Sequence, residues 1–427
     1  MAPTRKMARD ERGAALLLVL LVVAVVAVLA TELAYDTRIS LQIAANARDE
    51  LRASYQARGA VALSRLVLHF QQRLDQAGGV ASQFISGAAA SAGGQAVASA
   101  MPQGTFSFRL WDAVPVDSMS MGLLLGTGTS KESKESKDAK GAKGVQVPTD
   151  ESFHAVIDDE ERKVNVSQLA GLSRVSGPQL HRFLIAVRDP RYDVLFDRED
   201  EMGNRLSRRD VAVALRDWVD EDATTSVIGL KPGTPFEPGF GDENQYYDRG
   251  EDRYRAKNAR FDSLDELYLV AGVGDAFVAA FGDHLTVYPD VNATVNINTT
   301  DPEQVMVNAL LMSDPPGVPQ PPLLDPAFSQ KLDLALRLAR PLPFMTITVQ
   351  QFATVLQALG VKVQPIFLQA QNTDTRSPFG NTSSTFTIRA TGRAGNVEKT
   401  IDAVVTMDDR AGKLQGDLGR LLHWRED

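Results

Sequence analysis

The sequence predicts an α+β fold: a long N-terminal helix, an antiparallel sheet, and a large all-helical insertion between the early and late strands. Three observations carry this. An apolar run from Ala14 to Ala30 passes into a helically spaced stretch with no Gly or Pro as far as Arg58. Alternating apolar and polar residues appear at Thr105–Trp111 and again from Thr385 to Met407. Capped helical patterns fill the interval between them.

The bulk numbers bound the function. The chain has 427 residues, enough for more than one packed core. Apolar residues make up 44% and charged residues 23%, a globular balance. A formal net charge of -9 argues against a dedicated nucleic-acid binder, which would show a basic face. There is no cysteine, so disulfides, thiolate metal sites and a cysteine nucleophile are excluded. The five histidines are nowhere at ligand spacing, and His-Glu-x-x-His, Gly-x-Ser-x-Gly and P-loop signatures are absent, so no enzymatic activity is expected. Gly272-Val273-Gly274 has the look of a phosphate-holding turn, but Asp275 follows it, and a carboxylate there would repel phosphate. It reads as a structural turn.

The first element is the N-terminal helix. Ala14 to Ala30 is 17 residues, about 26 Å of helix, and Thr31 to Tyr35 extend it to a bilayer span. Arg5, Lys6, Arg9 and Arg12 precede it against Asp10 and Glu11, which keeps that end cytoplasmic and sends the bulk of the chain across the membrane. Two readings compete. A secretory signal would be cut after Val28-Leu29-Ala30. A retained anchor would continue into the stem, and Leu33, Leu41, Leu51, Tyr55, Leu66 and Phe70 sustain helical spacing to Gly78-Gly79. That continuity favours retention.

Past a small-residue linker at 87–100, residues 112–150 read as a flexible insertion centred on Ser130–Lys140. Phe153–Ile157 and Lys163–Val166 flank a charged turn and predict a hairpin. Helices are expected at Pro178–Val187, at Asp210–Val219, after a Ser263/Glu266 capping box, and at Ala276–Phe281. Val295-Asn296-Ile297-Asn298 echoes Val164-Asn165-Val166-Ser167 and opens a second, shorter helical cycle. Its helices start at Asp301-Pro302 and at a Thr348/Gln351 capping box. Two closing strands follow, with a turn at Gly392–Gly395 and a final short piece at Arg420–Trp424.

Gly13, with charges before it and the apolar run after it, resembles a prepilin leader. The resemblance implies peptidase cleavage after Gly13, methylation of the new terminus Ala14, and a retained helix that anchors first and later packs in a filament. Such subunits usually carry Glu as the fifth mature residue; here it is Leu18. A subunit at the tip has no neighbour above it whose ammonium needs neutralising. Leu18 therefore points to the tip subunits of the type II secretion pseudopilus, the general secretion pathway protein K family. Asp217-Trp218-Val219-Asp220, Tyr246-Tyr247, Lys257–Phe261 and Val295–Thr299 resemble that family in order.

The resemblance implies a pilin-like core divided as follows: 1–13 leader, 14–78 membrane and stem helix, 100–170 first part of the core with the 112–150 loop, 171–290 inserted helical domain, 291–362 second helical module, and 363–427 closing strands. It implies a minor pseudopilin that caps the filament and helps initiate its assembly for export of folded proteins. Expected partners are the other minor pseudopilins, the major pseudopilin, the prepilin peptidase, the inner membrane, and secreted cargo or the outer-membrane channel. A type IV minor pilin, or a signal-anchored periplasmic binding protein or hydrolase, stands as the alternative.

One cluster could bind calcium, which wants six to eight oxygens from flexible loops. Asp217, Asp220, Glu221 and Asp222 lie past a helix, and Asp242, Glu243 and Asp248 follow a Gly/Pro loop. The expected ligands are Asp220, Asp222, Asp242, Glu243 and Asp248. A solvated acidic surface would account for the same residues; the family resemblance adds calcium in this domain.

Overall fold

The computed structural model describes residues 11–77, 107–120, 151–196, 199, 203, 205–229, 234–248, 253–288, 291, 293–299, 301–340, 345–368, 377–407 and 418–427. Most of the leader, the 87–100 linker and the centre of the 112–150 insertion lie outside the described residues.

Helix α1 (Glu11–Ala77) runs unbroken through the apolar segment and the stem. It is long and apolar enough to cross a membrane. The stem buries Ala53, Ala57, Ala60, Val61, Ser64, Val67 and Leu68. Alanines at 53, 57 and 60 leave the first part of that face without bulky side chains, so the sheet approaches the helix backbone closely there, while Val61, Val67 and Leu68 fill the space further along.

Strand β1 (Ser107–Phe108) gives way at once to α2 (Leu110–Ala113), so the strand expected at Thr105–Trp111 is only two residues long among those described. Gln71 of the stem explains the switch: its Oε1 accepts the Leu110 N–H at 2.7 Å and helps start the helical turn there. Strand β2 (Val116–Asp117) follows, so residues 112–120 are ordered parts of the fold rather than insertion.

Strand β3 (Glu151–Asp159) does not form the expected hairpin with Lys163–Val166. Its partners are β2 on one side and a C-terminal strand on the other. The chain turns away at Glu160–Arg162 because Asp159, Glu160 and Glu161 are all drawn inward by distant donors. Strand β4 (Val164–Asn165) then leaves for a different sheet.

The helical insertion holds α3 (Ser173–Ala186), α4 (Asp193–Phe196), α5 (Arg208–Asp217), the hairpin of β5 (Thr224–Ile228) and β6 (Phe236–Asp242), α6 (Asp275–Phe281) and β7 (Leu285–Thr286). Helix α3 starts five residues before Pro178, because burying Val175 and Ser176 holds its first turn against the core. Ser263 makes no side-chain cap, and the segment after it is a 3-10 turn over Leu264–Leu269 rather than an α-helix. Gly272 has φ +77, and a Cβ there would meet Val211 and Leu206, so the turn is a packing element.

The second module contains β8 (Val295–Asn296), α7 (Pro302–Met312), α8 (Phe328–Ala339), β9 (Met345–Thr346), α9 (Val349–Ala358) and β10 (Phe379–Gly380). Its α9 capping box at Thr348 and Gln351 is complete in both directions. The echo between the two modules is structural. Val164–Asn165 pairs in parallel with β7, and Val295–Asn296 pairs in parallel with β10. In each, the asparagine Oδ1 then accepts a backbone N–H two residues on, from Ser167 at 3.0 Å and from Asn298 at 2.9 Å. The two modules have separate apolar cores, one from Val164 to Val287 and one from Val295 to Phe379.

The chain closes with β11 (Thr385–Ala394), β12 (Val397–Thr406) and β13 (Arg420–Glu426). The turn between the first two is tighter than expected: β11 continues through Gly392 to Ala394, and Gly395 turns at φ +56. The resulting five-stranded sheet has the order β13-β12-β11-β3-β2. Phe386, Ile388, Ala390, Ile401, Ala403 and Val405 form its inner face and pack on the stem. The whole is the α+β arrangement expected: an antiparallel sheet on a long helix, interrupted between β3 and β11 by the helical modules.

Three consecutive acids join these parts. Asp159 Oδ2 accepts from Asn296 Nδ2 (3.1 Å) and Ser383 Oγ (2.7 Å). Glu160 accepts from Thr387 Oγ1 at 2.7 Å, from Thr286 Oγ1, and from Lys163 Nζ at 2.6 Å. Glu161 Oε1 accepts from Ser384 N (2.7 Å), Ser384 Oγ (2.7 Å) and Thr385 N (3.2 Å). All three are buried. Burial first, then the neighbouring Asp159, pushes the Glu161 carboxyl up to about 8.

Candidate metal centre and assembly surface

Helix α5 sets up the acid cluster. Ser207 and Asp210 form a complete capping box at its start, and Val211, Ala212, Ala214 and Leu215 bury its inner face. Asp217 ends the helix, and Trp218 beyond it packs edge-on against Tyr247, ring centroids 5.4 Å apart. This anchoring brings Asp217 and Asp220 beside Glu243, which follows β6. Carboxylate oxygens of Asp217, Asp220 and Glu243 lie within 4.8 Å of one another.

The electrostatics are unfavourable as the side chains stand. Asp217 accepts the Ser226 N–H at 3.1 Å. Arg216 Nε reaches Asp220 at 3.4 Å. Yet both oxygens of Asp220 and both of Glu243 are buried without a hydrogen bond; Ser226 and Asn258 ease the charge from nearby but are not in bonding geometry. Burial raises all three carboxyls, Asp217 to about 6, Asp220 to about 7 and Glu243 to about 8, with mutual repulsion next in importance for Glu243. Buried oxygens without donors are rare and costly, and a cation among them would reverse each of these shifts.

Of the five expected ligands, only Asp220 and Glu243 are in the cluster. Asp222 Oδ1 accepts the Thr224 N–H at 2.8 Å, and Asp242 Oδ1 accepts the Asn244 N–H at 2.9 Å, each fixing a turn. Asp248 pairs with Arg253 at 3.6 Å. Asp217 completes the trio instead, since residues three apart in a helical turn share a face. That spacing was readable in Asp217-x-x-Asp220.

The second candidate surface is α1. Gly13 and Ala14 lie on its first turns, and Leu18 is exposed. The stem residues that looked like one stripe divide into two faces. Opposite the face packed on the sheet, Leu51, Tyr55, Leu66 and Phe70 are exposed, with relative accessibilities of 63%, 69%, 39% and 54%. Gly59 and Ala62 fall between them at heptad spacing, and a Cβ on Gly59 would meet nothing within 4 Å. The apolar segment from Leu16 to Leu29 is exposed all round.

Residues 199–290 match the family model described as Type II secretion system (T2SS), protein K. The matched segment contains α5, the β5–β6 hairpin and all three cluster acids. A chain in "The Crystal Structure of the GspK-GspI-GspJ complex from enterotoxigenic Escherichia coli Type 2 Secretion System" is similar over 65% of this chain and 80% of that one, with 16% identity and a TM-score of 0.38. No curated protein matches significantly. The segment that carries the acid cluster is thus similar to protein K of the type II secretion system.

Proposed function

We propose that the protein is a minor pseudopilin of a type II secretion system, which caps a short filament anchored in the inner membrane and helps initiate its assembly for export of folded proteins. The prepilin peptidase cuts after Gly13, Ala14 becomes a methylated N-terminus, and the apolar helix is kept. The head then stands in the periplasm. Removing the leader takes away four basic and two acidic side chains, moving the formal charge from -9 to -11.

One observation carries this reading. The exposed apolar segment of α1 continues into an outward seam of Leu51, Tyr55, Gly59, Ala62, Leu66 and Phe70. The segment packs against neighbouring helices in lipid, where close contact and not hydrophobic exclusion holds helices together. The seam adds burial outside the bilayer, and Gly59 and Ala62 let a partner helix approach. The other minor pseudopilins are the partners it fits, with the major pseudopilin below. Cargo or the outer-membrane channel would meet the helical head. Leu18 suits the apex, because no subunit above presents an ammonium to neutralise.

The acid cluster fits calcium. Asp217, Asp220 and Glu243 would hold it, and the ion would neutralise three crowded carboxylates and tie the end of α5 to the hairpin. Co-purification tests the filament reading. Tyr55→Asp together with Leu51→Asp should abolish association with the other minor pseudopilins while leaving thermal unfolding of the head unchanged. Undiminished association would defeat it.

A further inference from the structure

The acid cluster has a cation of its own. Arg216 directly precedes Asp217, and its Nε reaches Asp220 Oδ2 at 3.4 Å. Three further contacts hold the guanidinium. Nε donates to Ser226 Oγ on β5 at 3.0 Å, and Nη1 donates to the Leu169 carbonyl at 2.8 Å. Its Cζ lies 4.8 Å from the centroid of the Phe236 ring at the start of β6. Only 20% of the side chain is exposed. The charge is therefore fixed in place and screened less than a surface arginine would be.

The carboxylates beside it are held without donors. Glu243 is 1% exposed and Asp220 9%, and no oxygen of either accepts a hydrogen bond. Arg216 faces Asp220 as an ion pair, while its Nε hydrogen goes to Ser226. Buried carboxylate oxygens in that state point to a bound cation.

Charge counting gives that cation its valence. Asp217, Asp220 and Glu243 bring three negative charges when ionised, and Arg216 cancels one, which leaves two. One divalent ion neutralises the remainder. Asp222 adds repulsion from the rim, but it is exposed and water screens it. A trivalent ion would leave a net positive charge buried beside the guanidinium. The repulsion between ion and guanidinium also grows in proportion to the ion's charge.

We propose that Arg216 is the resident counterion of this site and its specificity-determining residue: it matches three buried carboxylates to a doubly charged ion and disfavours a triply charged one. This role rests on the calcium reading given above and adds to it the residue that sets the valence.

The test titrates the full chain in detergent at pH 7 with calcium and, separately, with terbium, a trivalent ion of similar size. Both are read at the site that Glu243→Gln removes. Arg216→Met should strengthen calcium about tenfold and terbium about thirtyfold, because the lost repulsion scales with ion charge. The terbium-to-calcium affinity ratio thus rises about threefold. Arg216→Lys keeps the charge and should hold that ratio within about twofold of the parent. If Arg216 served only to brace the hairpin, the methionine variant would do the reverse, since loosened ligands weaken both ions alike. Melting of the ion-free variants reads such loosening separately. An unchanged ratio in Arg216→Met, or the same shift in Arg216→Lys, would overturn the role of Arg216 and leave the calcium site standing. A parent chain that binds neither ion would instead overturn the calcium reading, and the role of Arg216 with it.

Discussion

Gly392 of β11 lies directly beneath Ala53 of the stem. A Cβ on Gly392 would overlap the Ala53 carbonyl oxygen and the Ala57 nitrogen, with Gln56 Cβ at 2.9 Å. The atoms in the way are mostly helix backbone, which cannot swing aside as a side chain can. Gly392→Ala should therefore lift the stem from the sheet, at an overpacking cost of about 1–3 kcal/mol. Denaturant unfolding of the full chain in detergent reads this. Unaltered stability would show that the stem does not press on the sheet there.

Glu161 is a neutral-form acid in a donor-rich pocket. Its carboxyl sits at about 8, well above the usual ~4.3. A raised carboxyl favours folding most below the unfolded value, and that contribution is lost as pH climbs through about 8. Stability should thus decline between pH 5 and pH 8. Glu161→Gln keeps the acceptor oxygen without the charge, so it should flatten that slope. Glu161→Ala strands three donors and should cost roughly 3 kcal/mol or more. Thermal melts across pH distinguish the two.

The cluster acids should respond to calcium. Isothermal titration should show one site, with affinity falling from pH 8 to pH 6, because protons compete for Asp220 and Glu243, which titrate near 7 and 8. Glu243→Gln should abolish the heat and also raise metal-free stability at pH 8, since it relieves repulsion. Asp248→Asn should leave binding intact. Loss of binding in the latter variant would return the ligand set to the exposed loop.

Processing should depend on Gly13. Replacing it with a bulky residue should leave the precursor uncut, so intact-mass measurement would retain the leader. A natural product beginning at Thr31 would instead identify a secretory signal cut at Ala30.

The second core offers a plain stability check. Phe352 is fully buried in α9. Phe352→Ala should cost about 3–5 kcal/mol, and the loss should appear in unfolding of the full chain.

Elements written in local chemistry were legible in the sequence. The α1 continuity, the Thr348 capping box, the proline-led α7 and the alternation in β11 all follow from residues within one or two turns of each other. What failed depends on distant partners. Lys163–Val166 looked like a hairpin mate for Phe153–Ile157, but Val164–Asn165 pairs with Leu285–Thr286, more than a hundred residues on. After Ser263 the box does not form, and the Glu266 carboxylate is held by Lys257 at 2.8 Å instead. In the acid cluster, composition drew attention to the segments that supply Asp220 and Glu243, yet Asp222 and Asp242 accept hydrogen bonds within their own turns, a choice that depends on backbone geometry.

Asp159, Glu160 and Glu161 have a mechanical consequence. One short bend at the end of β3 grips the closing sheet, the first module through Thr286 and the second through Asn296. The three parts are therefore coupled through a single turn: loosening the bend's hold on any one of them frees the donors that seat the other two.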